Sequence, residues 1–159
     1  MHFPIIELKD KRVPKDERMS ECELYDDSCV GYFTDYVGDE YTDEERHDYF
    51  QGGRLQKLLK GIATVDTRDF GSITFLDADT IRDTIKKEML DIAAAIQDKI
   101  LKDERVRPDD VKYEAEFWRG FDDLFHFEGR VCTSGNLISD AVWYAGKTLY
   151  IGAIFDAHI

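Results

Sequence analysis

The chain has 159 residues, of which 43% are hydrophobic and 13% aromatic, and its formal net charge is −13. The length suits one domain with a substantial core, which we predict over residues 1–159, and the apolar content excludes a disordered chain. The acidic excess argues against direct binding to a nucleic acid and favours a cationic partner or high solubility.

The N-terminal part is predicted to contain two strands separated by a loop. Pro4–Leu8 is a short apolar stretch typical of an opening strand, with its proline at an edge. Lys9–Asp27 is charged and poor in apolar residues, which predicts a long loop. Cys29–Val37 is rich in β-branched and aromatic residues and is predicted to be a strand that ends near Gly38.

An acidic helix is predicted next, within the stretch DEYTDEERHDYF. Thr42 and Glu45 have the spacing of a capping box, so we place the helix from about Asp43 to Gln51. The glycine pair at 52–53 interrupts it and predicts a kink or two short helices, the second covering residues 54–60.

A long helix is the best-defined predicted element. Two short strands, 62–67 and 72–76, precede it, and Thr80 and Asp83 form a second capping-box pattern at its start. It is predicted over residues 80–102 because apolar residues recur there at spacings of three or four and form a single stripe. The stripe consists of Ile81, Ile85, Met89, Ile92, Ile96 and Ile100.

Alternating apolar and polar residues predict further strands towards the C-terminus. Two are predicted at 111–117 and 124–132, joined by a turn at 119–122. The stretch 137–144 is predicted as a strand, or alternatively as a short helix capped by Ser134 or Asn136. A last strand is predicted at 148–156, after a turn at 145–147.

These elements together predict an α+β fold. A mostly antiparallel sheet, built from the C-terminal strands as a meander, would pack on the long helix. The acidic region of about 15–50, with its strand, loop and short helix, would be appended to that sheet. Strands and helices do not alternate regularly, which argues against a doubly wound parallel sheet.

The cysteines and the N-terminus bear on the compartment. Cys22, Cys29 and Cys132 are odd in number and form no C-x-x-C pair, which predicts reduced thiols rather than disulfides or a zinc site. The N-terminus lacks a basic leader followed by an apolar run, and no apolar stretch approaches the roughly 18 residues that span a bilayer. We therefore expect a cytoplasmic protein with no membrane partner.

The acidic region is the leading candidate for a binding surface. Residues 15–48 contain 13 acidic and 3 basic side chains, so most of the excess charge lies there. Tyrosines are interleaved with the carboxylates, and tyrosine supplies rigid contact area while carboxylates steer a cationic partner. The predicted partner-binding residues are Asp35, Tyr36, Asp39, Glu40, Tyr41, Asp43, Glu44 and Asp48.

Two histidines are candidates for chemistry. Glu44, His47 and Asp48 share one face of the predicted helix and could contribute metal ligands, but acidic residues in a first turn also complement the helix dipole. His126, beside Glu128 or Glu116, could form a general acid–base pair, although a histidine on the polar face of a half-buried sheet is more often only a solvated residue. No cofactor motif is present, and Cys132 with its small neighbours lacks a recognisable catalytic base.

The sequence therefore favours a small, non-enzymatic binding protein that engages a basic protein surface. Inhibitors of nucleic-acid-binding enzymes, including anti-defence and immunity proteins, have this size and charge, and their carboxylates can stand in for phosphates. One alternative is a metal-dependent hydrolase that uses His47 or His126 with nearby carboxylates. Another is a small-ligand-binding domain with a pocket formed by Phe117, Phe127 and Trp143.

Overall fold

The computed structural model describes residues 2–26, 29–102, 105, 107, 119 and 123–158. Within these residues, seven strands form one mostly antiparallel sheet accompanied by helices, which confirms the α+β class. The strands are β1 (His2–Lys9), β2 (Tyr36–Glu40), β3 (Ala63–Asp66), β4 (Ser72–Phe75), β5 (Leu124–Phe127), β6 (Arg130–Thr133) and β7 (Thr148–His158). The α-helices are α1 (Glu21–Asp26), α2 (Asp43–Gln51), α3 (Arg54–Leu58), α4 (Ala78–Leu101) and α5 (Ser134–Ser139), and 3₁₀ turns cover Lys15–Glu17 and Ala141–Tyr144.

The C-terminal strand β7 is central to the sheet. The strand order is β3-β4-β7-β1-β5-β6, and all pairs are antiparallel except β1 with β5. On the edge of β7 opposite β1, β4 pairs with residues 148–150 and β2 with residues 155–158. The strand order thus differs from the predicted C-terminal meander, because β7 pairs with strands from the N-terminal half and not with β6.

The sheet is buried on both faces. One face packs against α2, α3, the start of α4 and α5, with Ile6, Ile73, Phe125 and Ile154 among its fully buried residues. The other face packs against Leu24 of α1 and against Met19 and Cys29, which flank this helix in the sequence. Because β7 is covered on both faces, residues 151–155 are all buried, which is typical of a central strand.

The N-terminal segment differs from its prediction in two places. Residues 9–27 are not a simple loop, since they contain a 3₁₀ turn and α1, whose Leu24 is fully buried under the sheet. The predicted strand 29–37 is a turn over most of its length, because Gly31 adopts a φ of 90° and the Cys29 carbonyl accepts the Phe33 amide at 2.9 Å. The strand β2 starts only at Tyr36.

Helix α4 confirms the predicted long helix, but its N-cap lies three residues before the predicted cap Thr80. The N-cap is Asp77, whose side chain accepts the Thr80 amide at 2.9 Å. Of the predicted stripe, Ile81 is fully buried and Ile85 packs against the core, whereas Met89 and Ile100 are 40% and 57% exposed. In the described part of the chain, no helix is long and apolar enough to cross a bilayer.

The C-terminal predictions are corrected in detail. The predicted strand 124–132 is the hairpin β5–β6, whose turn residues Glu128 and Gly129 both have positive φ. The stretch 137–144 is helical, as the alternative prediction stated, but the N-cap of α5 is Thr133. The predicted strand 111–117 and turn 119–122, with Glu116 and Phe117, lie outside the described residues except for Arg119.

Candidate functional site: an acidic groove

A groove of about 640 Å³ lies where the end of β2, the start of α2 and β7 meet. Its described lining includes five carboxylates and two tyrosines, and neither lysine nor arginine. The lining residues are Gly38, Asp39, Glu40, Tyr41, Thr42, Glu45, Asp48, Tyr49 and Asp156.

The rim of the groove is held by β2 and by the cap of α2. The Tyr41 amide donates to the Ile154 carbonyl at 2.7 Å, which attaches the end of β2 to β7. The predicted capping box is present, since the Thr42 amide donates to Glu45 Oε2 at 2.8 Å and Thr42 Oγ1 accepts the Glu45 amide at 3.3 Å. The Thr42 hydrogen bonds lower the pKa of Glu45, so this carboxylate remains ionised in the groove.

Arg46 anchors α2 to the sheet. It is 4% exposed and, with Phe50 four residues later, forms the buried side of this otherwise polar helix. Its guanidinium donates to the carbonyls of Gly152 at 2.6 Å and Ile151 at 3.1 Å, and also to that of Phe70. Burial, followed by repulsion from Arg18, lowers its pKa to about 10, so it is still charged at neutral pH.

Tyr49 connects the groove to the buried carboxylate of Asp123 and its ion pair with Arg54. Tyr49 donates its hydroxyl to Asp123 Oδ2 at 3.1 Å, and Arg54 Nη2 lies 2.5 Å from Asp123 Oδ1. Burial and then the Asp123 charge raise the pKa of Tyr49 well above 10. The pKa of Tyr41 is also raised, first by burial and then by Asp156. Both phenols therefore keep their protons in a negative field.

The structure brings half of the eight predicted partner-binding residues into the lining of this groove. Four of them, Asp39, Glu40, Tyr41 and Asp48, line it. Asp43 and Glu44 are exposed in the first turn of α2, and Asp35 and Tyr36 are exposed at the start of β2. The prediction did not include Glu45, Tyr49 or Asp156 among the contact residues. Asp156 comes from β7, and only the strand register brings it to the groove.

The predicted metal ligands occupy the exposed side of α2. His47 Nε2 lies 2.9 Å from the Gln51 amide nitrogen. Among the described residues, one group of three ligand side chains has its atoms within 4.8 Å of one another, and it consists of His2, Asp156 and His158. Glu44, His47 and Asp48 are not part of it.

The remaining candidates are His126, Cys132 and the predicted ligand pocket, and their side chains are buried or do not share one cavity. His126 is 6% exposed, which corrects the prediction of a solvated histidine, because its side of β5 is covered. Burial raises the pKa of Cys132 to about 11, which makes it a poor nucleophile at neutral pH. Phe127 lines a smaller cavity of about 250 Å³ with Leu137 and others, but Trp143 is 78% exposed and does not line it.

Comparison of the chain with protein-family models, with curated proteins and with solved structures gives no significant match.

Proposed function

We propose that this chain is a non-enzymatic binding protein whose acidic groove engages a basic surface of a protein partner. The observation that carries the proposal is the convergence of five carboxylates and two tyrosines from three elements on one groove. Carboxylates provide long-range attraction to a cationic partner, and the tyrosine rings provide contact area that costs little conformational entropy.

Hydrogen bonds attach the α2 side of the groove to the sheet, which favours recognition over mere solubility. The capping box fixes the first turn of α2, and Arg46 fixes the helix to two carbonyls of the central strand. A rigid arrangement of charges loses less entropy when a partner binds. A solvated acidic surface needs no such anchoring, whereas a recognition surface benefits from it.

The partner class that fits best is a nucleic-acid-binding enzyme. Such an enzyme presents a basic surface that accepts closely spaced anionic oxygens. Carboxylates of the groove would take the place of phosphates there, and the chain would inhibit the enzyme by competing with its nucleic acid. This proposal requires no catalytic residue in the chain itself.

The test compares two variants that remove the same charge from different surfaces. Asp39→Asn/Asp48→Asn removes two exposed carboxylates from the groove, and Asp83→Asn/Asp91→Asn removes two exposed carboxylates from α4. Glu40 is left unchanged because it lies 3.2 Å from the buried Arg18, and its loss would confuse stability with binding. Each chain is immobilised, exposed to host lysate at low and high salt, and its retained proteins are quantified.

At low salt, a true partner is retained by the wild type and by the α4 variant but not by the groove variant. At high salt, none of the three chains retains it. Its retention should also fall when duplex DNA or RNA is added as a competitor. If the groove variant and the α4 variant retain the same proteins equally, the groove is not a recognition surface. If the lost partner is insensitive to nucleic acid, the partner class is wrong while the binding role stands.

A further inference from the structure

A second cluster, separate from the predicted metal candidates, lies where β1 begins and its antiparallel neighbour β7 ends. His2 Nδ1 lies 2.8 Å from Asp156 Oδ2, and His158 Nε2 lies 3.0 Å from the same oxygen. The three ligand atoms all lie within 4.8 Å of one another, and no other triple in the described chain does so.

The strand register brings these residues together. In the antiparallel β1–β7 pair, His2 is opposite His158, and Pro4 is opposite Asp156. Residues two apart on a strand point to the same face, so Asp156 and His158 share a face. His2 completes the set from the neighbouring strand, at a distance in sequence of more than 150 residues.

Packing restrains the rings of this cluster. The Tyr36 ring stacks on the His158 ring with a centroid distance of 4.2 Å and an interplanar angle of 13°. The His2 and His158 rings meet edge to face at 3.7 Å. His158 is only 19% exposed in its side chain, whereas His2 is 68% exposed, so one ring is fixed and the other is open to solvent.

We propose that His2, Asp156 and His158 bind one divalent transition-metal ion, with Zn²⁺ as the best fit. Imidazole nitrogen is a donor that zinc and neighbouring transition metals prefer, and sets of histidine and carboxylate ligands occur in zinc sites. Metal–ligand bonds of about 2.0–2.2 Å in tetrahedral geometry place ligand atoms about 3.3–3.6 Å apart, so the hydrogen-bonded separations of 2.8 and 3.0 Å seen here need to widen by only about 0.5 Å when an ion replaces the shared proton. Three protein ligands leave a coordination position for water or for a group of a partner.

The surrounding charge assists cation binding. Asp156 also lines the acidic groove, whose carboxylates raise the local concentration of cations. The ion would thus lie at the edge of the groove. Its binding does not depend on the proposed partner, and the two proposals can fail separately.

Calorimetric titration of the chain, prepared without a polyhistidine tag, with Zn²⁺ alone tests the site. We expect one ion per chain for the wild type and a loss of at least about tenfold in affinity for His2→Ala and for Asp156→Asn. His47→Ala is the matched control, since it removes an exposed histidine next to two carboxylates and should keep wild-type affinity. Co²⁺ substitution should give the visible absorption of a nitrogen- and oxygen-ligated ion, lost in His2→Ala.

The variants also guard against a simple folding defect. His2 is exposed at a strand end, so His2→Ala should retain the wild-type circular dichroism spectrum. Asp39→Asn/Asp48→Asn keeps all three ligands and should still bind one Zn²⁺, which separates this site from the partner groove. No zinc binding by the wild type, or unchanged affinity in a folded His2→Ala, would mean that the cluster is only a hydrogen-bonded His–Asp–His arrangement.

Discussion

The carboxylate of Glu7 fills the space next to Gly152 where any other residue would place a Cβ atom. A Cβ at position 152 would overlap Glu7 Oε2 and lie 2.5 Å from Glu7 Cδ. The β1–β7 register shifts between Ile6 and Leu8, and Glu7 is fully buried at this bulge. Its two oxygens accept the amides of Met19 at 3.0 Å and Ala153 at 2.7 Å. The bulge thus joins the central strand to the N-terminal segment.

Gly152→Ala should therefore destabilise the protein strongly. The added methyl group would displace a buried carboxylate and break its hydrogen bonds, which we expect to lower the free energy of unfolding by at least about 2 kcal/mol. Urea denaturation measures this change. Combination with Glu7→Ala, which removes the overlapping group, should cost less than the sum of the two single variants.

Gly38→Ala is the matched control for this prediction. A Cβ there would meet only ordinary contacts, at 3.6 Å from the Asp156 carbonyl oxygen and 3.7 Å from its Cβ. We expect a change within about 0.5 kcal/mol. Equal stability of Gly152→Ala and Gly38→Ala would show that the bulge accommodates a side chain.

Arg46→Lys should destabilise the protein although it keeps the charge. A lysine ammonium cannot donate to the Gly152 and Ile151 carbonyls with the fixed geometry of a guanidinium. We expect a loss of about 2–3 kcal/mol in urea denaturation, because hydrogen bonds from a charged donor are lost at a buried site. Arg82→Lys, whose side chain is 60% exposed, should change stability little. A similarly small effect at Arg46 would contradict its role as the anchor of α2.

Local features of the fold could be predicted from the sequence because they depend on residues three or four apart. The Thr42–Glu45 capping box, the interruption at Gly52–Gly53 and the long helix α4 are examples, and all are present. The acidic rim of the groove could be predicted from the sequence for the same reason. Its members Asp39 to Asp48 are neighbours in the chain, and their clustering needs no long-range contact.

The remaining features depend on long-range register. Asp156 joins the groove, and His2 meets His158, only because β7 pairs with β1 and β2. Arg46 could not be recognised as buried, since an arginine among carboxylates is normally solvated. One signal was available: the nearly continuous apolar run from 149 to 155 is typical of a strand covered on both faces, and it indicates that β7 is central.

The cysteines should differ in their reactivity towards alkylating reagents. Cys22 is exposed, Cys29 is buried, and the pKa of Cys132 is raised to about 11 by burial and then by Asp140. At pH 7 only about one Cys132 thiol in ten thousand is ionised, and the thiolate is the reactive form. Iodoacetamide followed by peptide mapping should therefore modify Cys22 first in the folded protein. Labelling of Cys132 as fast as that of Cys22 would reopen the hypothesis of a cysteine nucleophile.

Tyr49→Phe should change how stability depends on alkaline pH. At neutral pH the variant loses the hydrogen bond to the buried Asp123, which we expect to cost about 1–3 kcal/mol. The pKa of Tyr49 is raised in the folded protein, so its contribution to stability is complete below the unfolded-state pKa of 10.0 and is lost as pH rises through the folded-state pKa. Phenylalanine has no such contribution to lose.

The difference in unfolding free energy between wild type and Tyr49→Phe should therefore narrow above pH 10. It should decrease as the pH rises, because the unfolded tyrosine ionises near its ordinary pKa of 10.0 while burial and Asp123 hold the proton on the folded one to a higher pH. Tyr41 and Tyr144, whose pKa values are also raised, are present in both proteins and cancel in the difference. Urea denaturation of both proteins from neutral to alkaline pH measures this directly. A difference that stays constant with pH would mean that Tyr49 ionises equally in the folded and unfolded chain, and that neither burial nor the Asp123 charge raises its pKa.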